Sequence, residues 1–122
     1  MDLELTEHVL DGHAVVELRG ELDLSSAPAL RERLLAIAAR EPASLILDLS
    51  GLTFMDSTGI SVLVAAERRA HELGGTFSLV NPQKIVARVL HITGLDRHFP
   101  TFGTVGDAAQ AGHAAEPPVA AD

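Results

Sequence analysis

The sequence contains no cysteine, tryptophan or tyrosine, and only 4 phenylalanines among its 122 residues. Without cysteine there is no disulfide framework, thiolate nucleophile, zinc ribbon or cysteine-held iron–sulfur cluster, and the chain suits a reducing compartment. The shortage of aromatics leaves no platform on which nucleic-acid bases could stack. Basic charge is scarce too: 9 Lys and Arg stand against 17 Asp and Glu, a net charge of −8 with the histidines neutral. That balance disfavours nonspecific attraction to phosphate backbones or anionic lipid, so neither nucleic acid nor a membrane is expected as a partner. Long apolar runs are also missing. No segment approaches the roughly 20 residues that span a bilayer, and Met1-Asp2-Leu3-Glu4 lacks the basic start and apolar run of a secretory signal. The expectation is a cytoplasmic protein of one domain, large enough to bury a hydrophobic core without covalent staples.

What is present is regular patterning. Leu3 and Leu5 alternate with polar residues, and beyond an Asp11-Gly12 turn Ala14, Val16 and Leu18 do the same, which predicts a β-hairpin. Ser25 and Ser26 offer N-cap hydroxyls and Pro28 suits a first helical turn. Ala27, Leu30, Leu34, Ile37 and Ala38 then recur at helical spacing, with a stop expected near Pro42. Leu45 to Leu49 reads as a strand covered on both faces, and Gly51 to Asp56 as a loop. From Ile60 the apolar positions Leu63, Val64, Ala70 and Leu73 mark one face of a second helix, with Glu67, Arg68, Arg69 and Glu72 outward, until Gly74-Gly75. Thr76 to Val80 is a strand. Asn81 as N-cap and Pro82 at the first helical position open a third helix with a buried stripe of Ile85, Val86, Val89 and Ile92, ended by Gly94. Pro100 confines Phe99 to Phe102 to a short edge strand, and a turn is expected near Val105 to Gln110. The pattern predicts an α/β fold: a mixed, mostly parallel sheet flanked by helices and opened by a hairpin. Residues 1–110 form the domain, and the Ala- and Pro-rich residues 111–122 are expected to be a disordered tail.

The stretch Asp56-Ser57-Thr58-Gly59 stands where a buried strand hands the chain to a helix. Unpaired amides and the positive end of the helix dipole favour an anion there, and a phosphorylated side chain would be accommodated. A Ser or Asp at such a place also serves as a plain cap, and the local pattern leaves both readings open. Enzymatic readings fail on specific residues. A hydrolase elbow needs glycine where Met55 stands; an acid protease needs its Asp-Thr/Ser-Gly loop twice; a phosphate loop needs lysine and more glycines. The histidines, His8, His13, His71, His91, His98 and His113, include no pair at metal-ligand spacing on a helix, so neither metal nor cofactor is expected. Gly20-Glu21-Leu22-Asp23 ends a strand and enters a helix-start loop, which in such a sheet lies beside a neighbouring loop of the same kind.

Together, Gly20-Glu21-Leu22-Asp23, the block from Leu45 through Asp48-Leu49-Ser50-Gly51-Leu52-Thr53-Phe54-Met55 to Asp56-Ser57-Thr58-Gly59, Asn81-Pro82 and Thr93-Gly94-Leu95 resemble the anti-sigma factor antagonists of the STAS domain family. The likeness runs from about Leu3 to Ala109. It implies a single STAS-like domain, not an enzyme, whose phosphoacceptor serine matches Ser57. Asp23 and Asp56 fall in the matching acidic positions, and Asp23, Asp56, Thr58 and Gly59 are the implied partner-binding residues. It further implies an anti-sigma factor of the serine/threonine kinase type as partner, bound when Ser57 is unphosphorylated and released on phosphorylation, with a serine phosphatase to reverse the step. The alternative within the family is an unphosphorylated accessory or sensor subunit of a transporter or signalling assembly.

Overall fold

The structure, a computed structural model, describes residues 2–40 and 44–114. Asp11 (φ 50°) and Gly12 (φ 81°) both take left-handed backbone, the geometry of a two-residue type I′ hairpin turn. They join β1 (Leu3–Leu10) to β2 (His13–Leu22) antiparallel. Helix α1 (Ala27–Ala38) carries the chain to β3 (Leu45–Met55), which pairs parallel with β2. Helix α2 (Ser57–Glu72), β4 (Phe77–Val80), α3 (Lys84–Ile92), β5 (Thr101–Phe102) and α4 (Val105–Ala114) follow. The strand order β1-β2-β3-β4-β5 makes β5 an edge strand, where Pro100 is tolerated.

Apolar residues of α1, α2 and α3 pack on one face of the sheet. Leu34 and Ile37, Leu63 and Ala66, and Val86 and Leu90 meet Val16, Leu18, Leu47, Leu49 and Phe77 in one core. The opposite face is covered by α4, whose Ala108 and Ala109 lie on Val15, Ile46 and Val80. The turn predicted at Val105 to Gln110 is therefore a helix. Its start is held by the Thr104 hydroxyl, which accepts the Asp107 N–H (3.0 Å), and alanines are small enough to bring its backbone down onto the strands. The helix takes in residues 111–114 of the predicted tail; residues 115–122, like the Pro42 stop, lie outside the described residues.

Expectations in four further segments are corrected. The predicted loop from Gly51 to Asp56 is strand as far as Met55, in register with Arg19 to Leu22 of β2. Two irregularities in that pairing each give β3 one more residue than β2, so the inward side chains step from Leu47 and Leu49 by three to Leu52 and again to Met55. Strand alternation is broken, which is why the segment does not read as strand. Helix α2 begins at Ser57, as expected; Glu67, predicted outward, is only 7% exposed, whereas Leu73 ends up exposed just beyond the helix. Helix α1 has Ser26 at its N-cap position but no side-chain cap bond, because that hydroxyl is turned to the Glu21 carbonyl (2.9 Å). Helix α3 starts after Gln83, since Asn81 takes left-handed backbone (φ 49°) and its N–H is tied to the Phe102 carbonyl (2.8 Å). Its buried residues are Val86 and Leu90, while Ile85 and Ile92 of the predicted stripe are exposed.

Candidate functional site

Strands β2 and β3 run parallel and end together, with Leu22 opposite Met55. Asp23 and Asp56 are each the next residue, so the loop into α1 and the start of α2 leave the sheet side by side. That is the end of a parallel sheet at which α/β proteins place ligands.

Asp56 is the N-cap of α2. Its extended backbone (φ −118°, ψ −166°) points Oδ1 at the Thr58 N–H, which donates to it at 3.0 Å. The Thr58 hydroxyl donates to the same oxygen, so Thr58 is half-buried and engaged. Ser57, between them, is exposed, and its hydroxyl has no hydrogen-bond partner among the described residues. The cap and the free hydroxyl thus belong to different residues: Asp56 satisfies the helix amide, which leaves Ser57 Oγ exposed at a place where the helix dipole stabilises negative charge.

Gly59 plays another part. It is buried, and a Cβ there would stand 2.5 Å from Met55 Cγ and 2.9 Å from Leu22 Cδ2. Only glycine lets the first turn of α2 rest on the ends of β2 and β3, so Gly59 positions Ser57 and does not itself offer a surface to a partner.

Asp23 organises the neighbouring loop. Its Oδ1 accepts from the Ser25 hydroxyl (2.8 Å), the Ser25 N–H (3.0 Å) and the Ser26 N–H (3.2 Å). These bonds, the Ser25 hydroxyl foremost, hold its carboxyl below the usual carboxylate range against a smaller opposing effect of burial. The carboxylate therefore serves its own loop as well as facing outward. Sequence reasoning missed the apolar component of this end of the molecule: Leu24, in the same loop, is 74% exposed, and Phe54, in register with Glu21, is 37% exposed. A leucine set between Asp23 and Ser25, away from any periodic segment, was the available signal. The surface thus combines apolar Leu24 and Phe54, acidic Glu21, Asp23 and Asp56, and the Ser57 hydroxyl.

Elsewhere, Glu67 Oε1 accepts from the His98 imidazole Nε2–H (2.7 Å), and Asp96 Oδ2 accepts from His91 Nδ1–H (2.7 Å). His13 is buried in β2, and His8 and His71 are exposed. Among the described residues no group of His, Asp and Glu is arranged to hold a metal ion, and no helix is long and apolar enough to cross a membrane.

An acidic, apolar-flanked helix start on a five-stranded sheet agrees with what sequence comparison finds. Residues 4–108 match the STAS domain, and the chain belongs to the STAS domain family. It is 35% identical over 98 residues to the anti-sigma-F factor antagonist RsfB of Mycobacterium tuberculosis, with 80% of each chain covered. It is 39% identical over 80 residues to the anti-sigma-B factor antagonist of Bacillus subtilis, covering 66% of this chain and 72% of that one. The crystal structure of an anti-sigma factor antagonist from Mycobacterium paratuberculosis is similar with a TM-score of 0.83 and 34% identity, over 92% of this chain and 95% of that one.

Proposed function

We propose that this protein is an anti-sigma factor antagonist, a non-enzymatic switch that binds an anti-sigma factor through the end of the sheet around Ser57 and is released when Ser57 is phosphorylated. The names of its relatives support the first part. The observation that carries the second is the free, exposed Ser57 hydroxyl beside an Asp56 that already caps the helix. In this reading the anti-sigma factor is itself a serine kinase. The Ser57 oxygen bonds to the γ-phosphorus of ATP, ADP leaves, and the hydroxyl proton passes to a base of the kinase; a serine phosphatase restores the hydroxyl by hydrolysis. Thr58 is a poorer acceptor than Ser57, because its hydroxyl is held by Asp56. Asp23, Asp56 and the exposed Leu24 and Phe54 supply the contact with a partner that is basic and apolar where it touches them.

The test is incubation with the anti-sigma kinase of the same cell and ATP, followed by peptide mapping, alongside binding titrations of Ser57→Ala and Ser57→Asp. One phosphate on Ser57, retained binding by the alanine variant and at least tenfold weaker binding by the aspartate variant, about 1.4 kcal/mol or more, are expected. Full modification of Ser57→Ala, or equal affinities of the two variants, refutes the reading.

A further inference from the structure

Among the described residues, strand β1 lies at the edge of the sheet with β2 as its neighbour on one side only. It is 8 residues long, holds no proline or lysine, and pairs with β2 without a bulge. Shortness, proline, lysine and bulges are the devices by which proteins blunt an open edge, and β1 has none of them. The inward-pointing Glu7, another such device, is instead held by Arg40 and Arg33.

The phase of the ladder decides which backbone groups face outward. A type I′ turn closes on a hydrogen-bonded pair, here Leu10 opposite His13. Alternating from there, Leu10, His8, Thr6 and Glu4 bond to β2, while the N–H and C=O of Leu3, Leu5, Glu7 and Val9 point to the open edge. The Ala14 N–H confirms the phase: opposite Val9, it turns away from β1 to the Ser44 carbonyl (2.9 Å). Among the described residues no turn, loop or side-chain hydrogen bond reaches the four edge-facing backbone units.

We propose that β1 pairs edge to edge with β1 of a second copy of this chain, antiparallel about a two-fold axis at Thr6. In that register Glu4 faces His8, so a carboxylate meets an imidazole on the outer face twice, and Thr6 faces Thr6. Leu3 faces Val9 and Leu5 faces Glu7, and each such pair exchanges two backbone hydrogen bonds. The arrangement covers Val9, which is 68% exposed, with Leu3 of the copy, beside an open groove lined by Leu3, Leu5, Ala29, Leu30 and Arg33. Other registers of the same phase do worse. Moving the axis to Leu5 leaves Val9 beyond the ladder, moving it to Glu7 sets two carboxylates face to face, and moving it to Glu4 does the same. The strand is thus self-complementary in charge and in apolar cover, as an isologous two-fold contact requires.

Sedimentation equilibrium of the full chain tests this. A monomer–dimer equilibrium is expected, weakened at least tenfold by His8→Glu, which opposes two carboxylates, and restored in the double variant Glu4→Lys, His8→Glu, which exchanges the charges across the same pair. Because the chain has no cysteine, Thr6→Cys places a single thiol on the axis, at a Cα separation of about 4.5 Å that a disulfide can span. Mild oxidation should link Thr6→Cys into a covalent dimer and leave Glu4→Cys monomeric. A chain that stays monomeric at the highest attainable concentration overturns the proposal. So does a dimer indifferent to His8→Glu, or a Thr6→Cys variant that cross-links no faster than Glu4→Cys.

Discussion

Replacing Gly59 by alanine separates a residue that positions the helix start from one that merely sits in it. The added Cβ would stand 2.5 Å from Met55 Cγ and 2.9 Å from both Leu22 Cγ and Leu22 Cδ2. Met55 is 2% exposed and Leu22 fully buried, so neither side chain has open space to enter. Two effects oppose each other. Alanine is favoured over glycine in a helix by about 1 kcal/mol, an upper limit in a first turn. Forcing a methyl group into a filled core costs about 1–3 kcal/mol, and three contacts this short put the cost in the upper half of that range. The net expectation is a loss of about 1–2 kcal/mol, which in a domain of this size lowers the melting temperature by roughly 5 °C. Circular dichroism melts and urea midpoints read it directly. Gly106→Ala is the matched control: it also lies in a first helical turn, but its Cβ would meet nothing nearer than Thr104 Oγ1 at 3.9 Å, so it should be neutral or stabilising. A Gly59→Ala variant as stable as the parent would show that Met55 and Leu22 yield, and the positioning role would have to be abandoned.

Other outcomes follow from the same geometry. Asp56→Ala removes the acceptor of the Thr58 N–H and should lower stability by about 1 kcal/mol, with most of it kept in Asp56→Ser; an unchanged urea midpoint would deny the cap any weight. His98→Ala strands the buried Glu67 carboxylate and should cost about 1–2 kcal/mol, discounted because half of His98 is in solvent, and adding Glu67→Leu should recover most of it. Strict additivity of those two changes would show that the pair is not coupled. Asp23 has a carboxyl held below its unfolded value, so its contribution is present above about pH 4 and is lost as the pH falls through the depressed value. The gap in urea midpoint between the parent and Asp23→Ala should therefore narrow on acidification from pH 5, and a constant gap would contradict the bonding around Asp23.

Much of the architecture was legible because it is written in local signals. The hairpin rests on Asp11-Gly12, the parallel strands on short apolar runs, and the edge strand on Pro100. The failures have physical causes outside the local window. A period of two identifies a strand, and β3 abandons it after Leu49 because its pairing with β2 twice gains a residue. Alanines carry little hydrophobic signal, so α4 is visible only once Val15, Ile46 and Val80 are seen to need a cover. Helical phase alone assigns Glu67 to solvent; what buries it is the segment of Leu95 and His98, which approaches from beyond α3. At the site, the Asp-Ser-Thr-Gly order was readable but the division of labour was not. Which of Asp56, Ser57 and Thr58 caps the helix depends on the backbone angles at Asp56.

That division bears on how a phosphate at Ser57 would act. If Ser57 were itself the cap, modification would remove a helix-ending bond and blur a local unfolding with a change of surface. With Asp56 holding the Thr58 amide, the helix keeps its cap whether or not Ser57 carries a phosphate. The new charge of about −1.5 to −2 also lies at the favourable end of the helix dipole. The folded state of the domain is then nearly indifferent to the modification, and the discrimination has to arise across the interface. Turning a contact from 99% occupied to 99% empty needs about 5.5 kcal/mol of differential affinity. An exposed charge pair supplies at most about 1 kcal/mol. In the proposed reading the phosphate collides with, or strips solvent from, groups at the centre of the contact, which the exposed Leu24 and Phe54 would seal from water while Glu21, Asp23 and Asp56 would face basic residues of the partner around it. Phosphorylated and unphosphorylated protein should accordingly melt within about 2 °C of each other while differing about ten-thousandfold in affinity for the partner. A phosphorylated form that melts far lower would place the switch inside the fold instead.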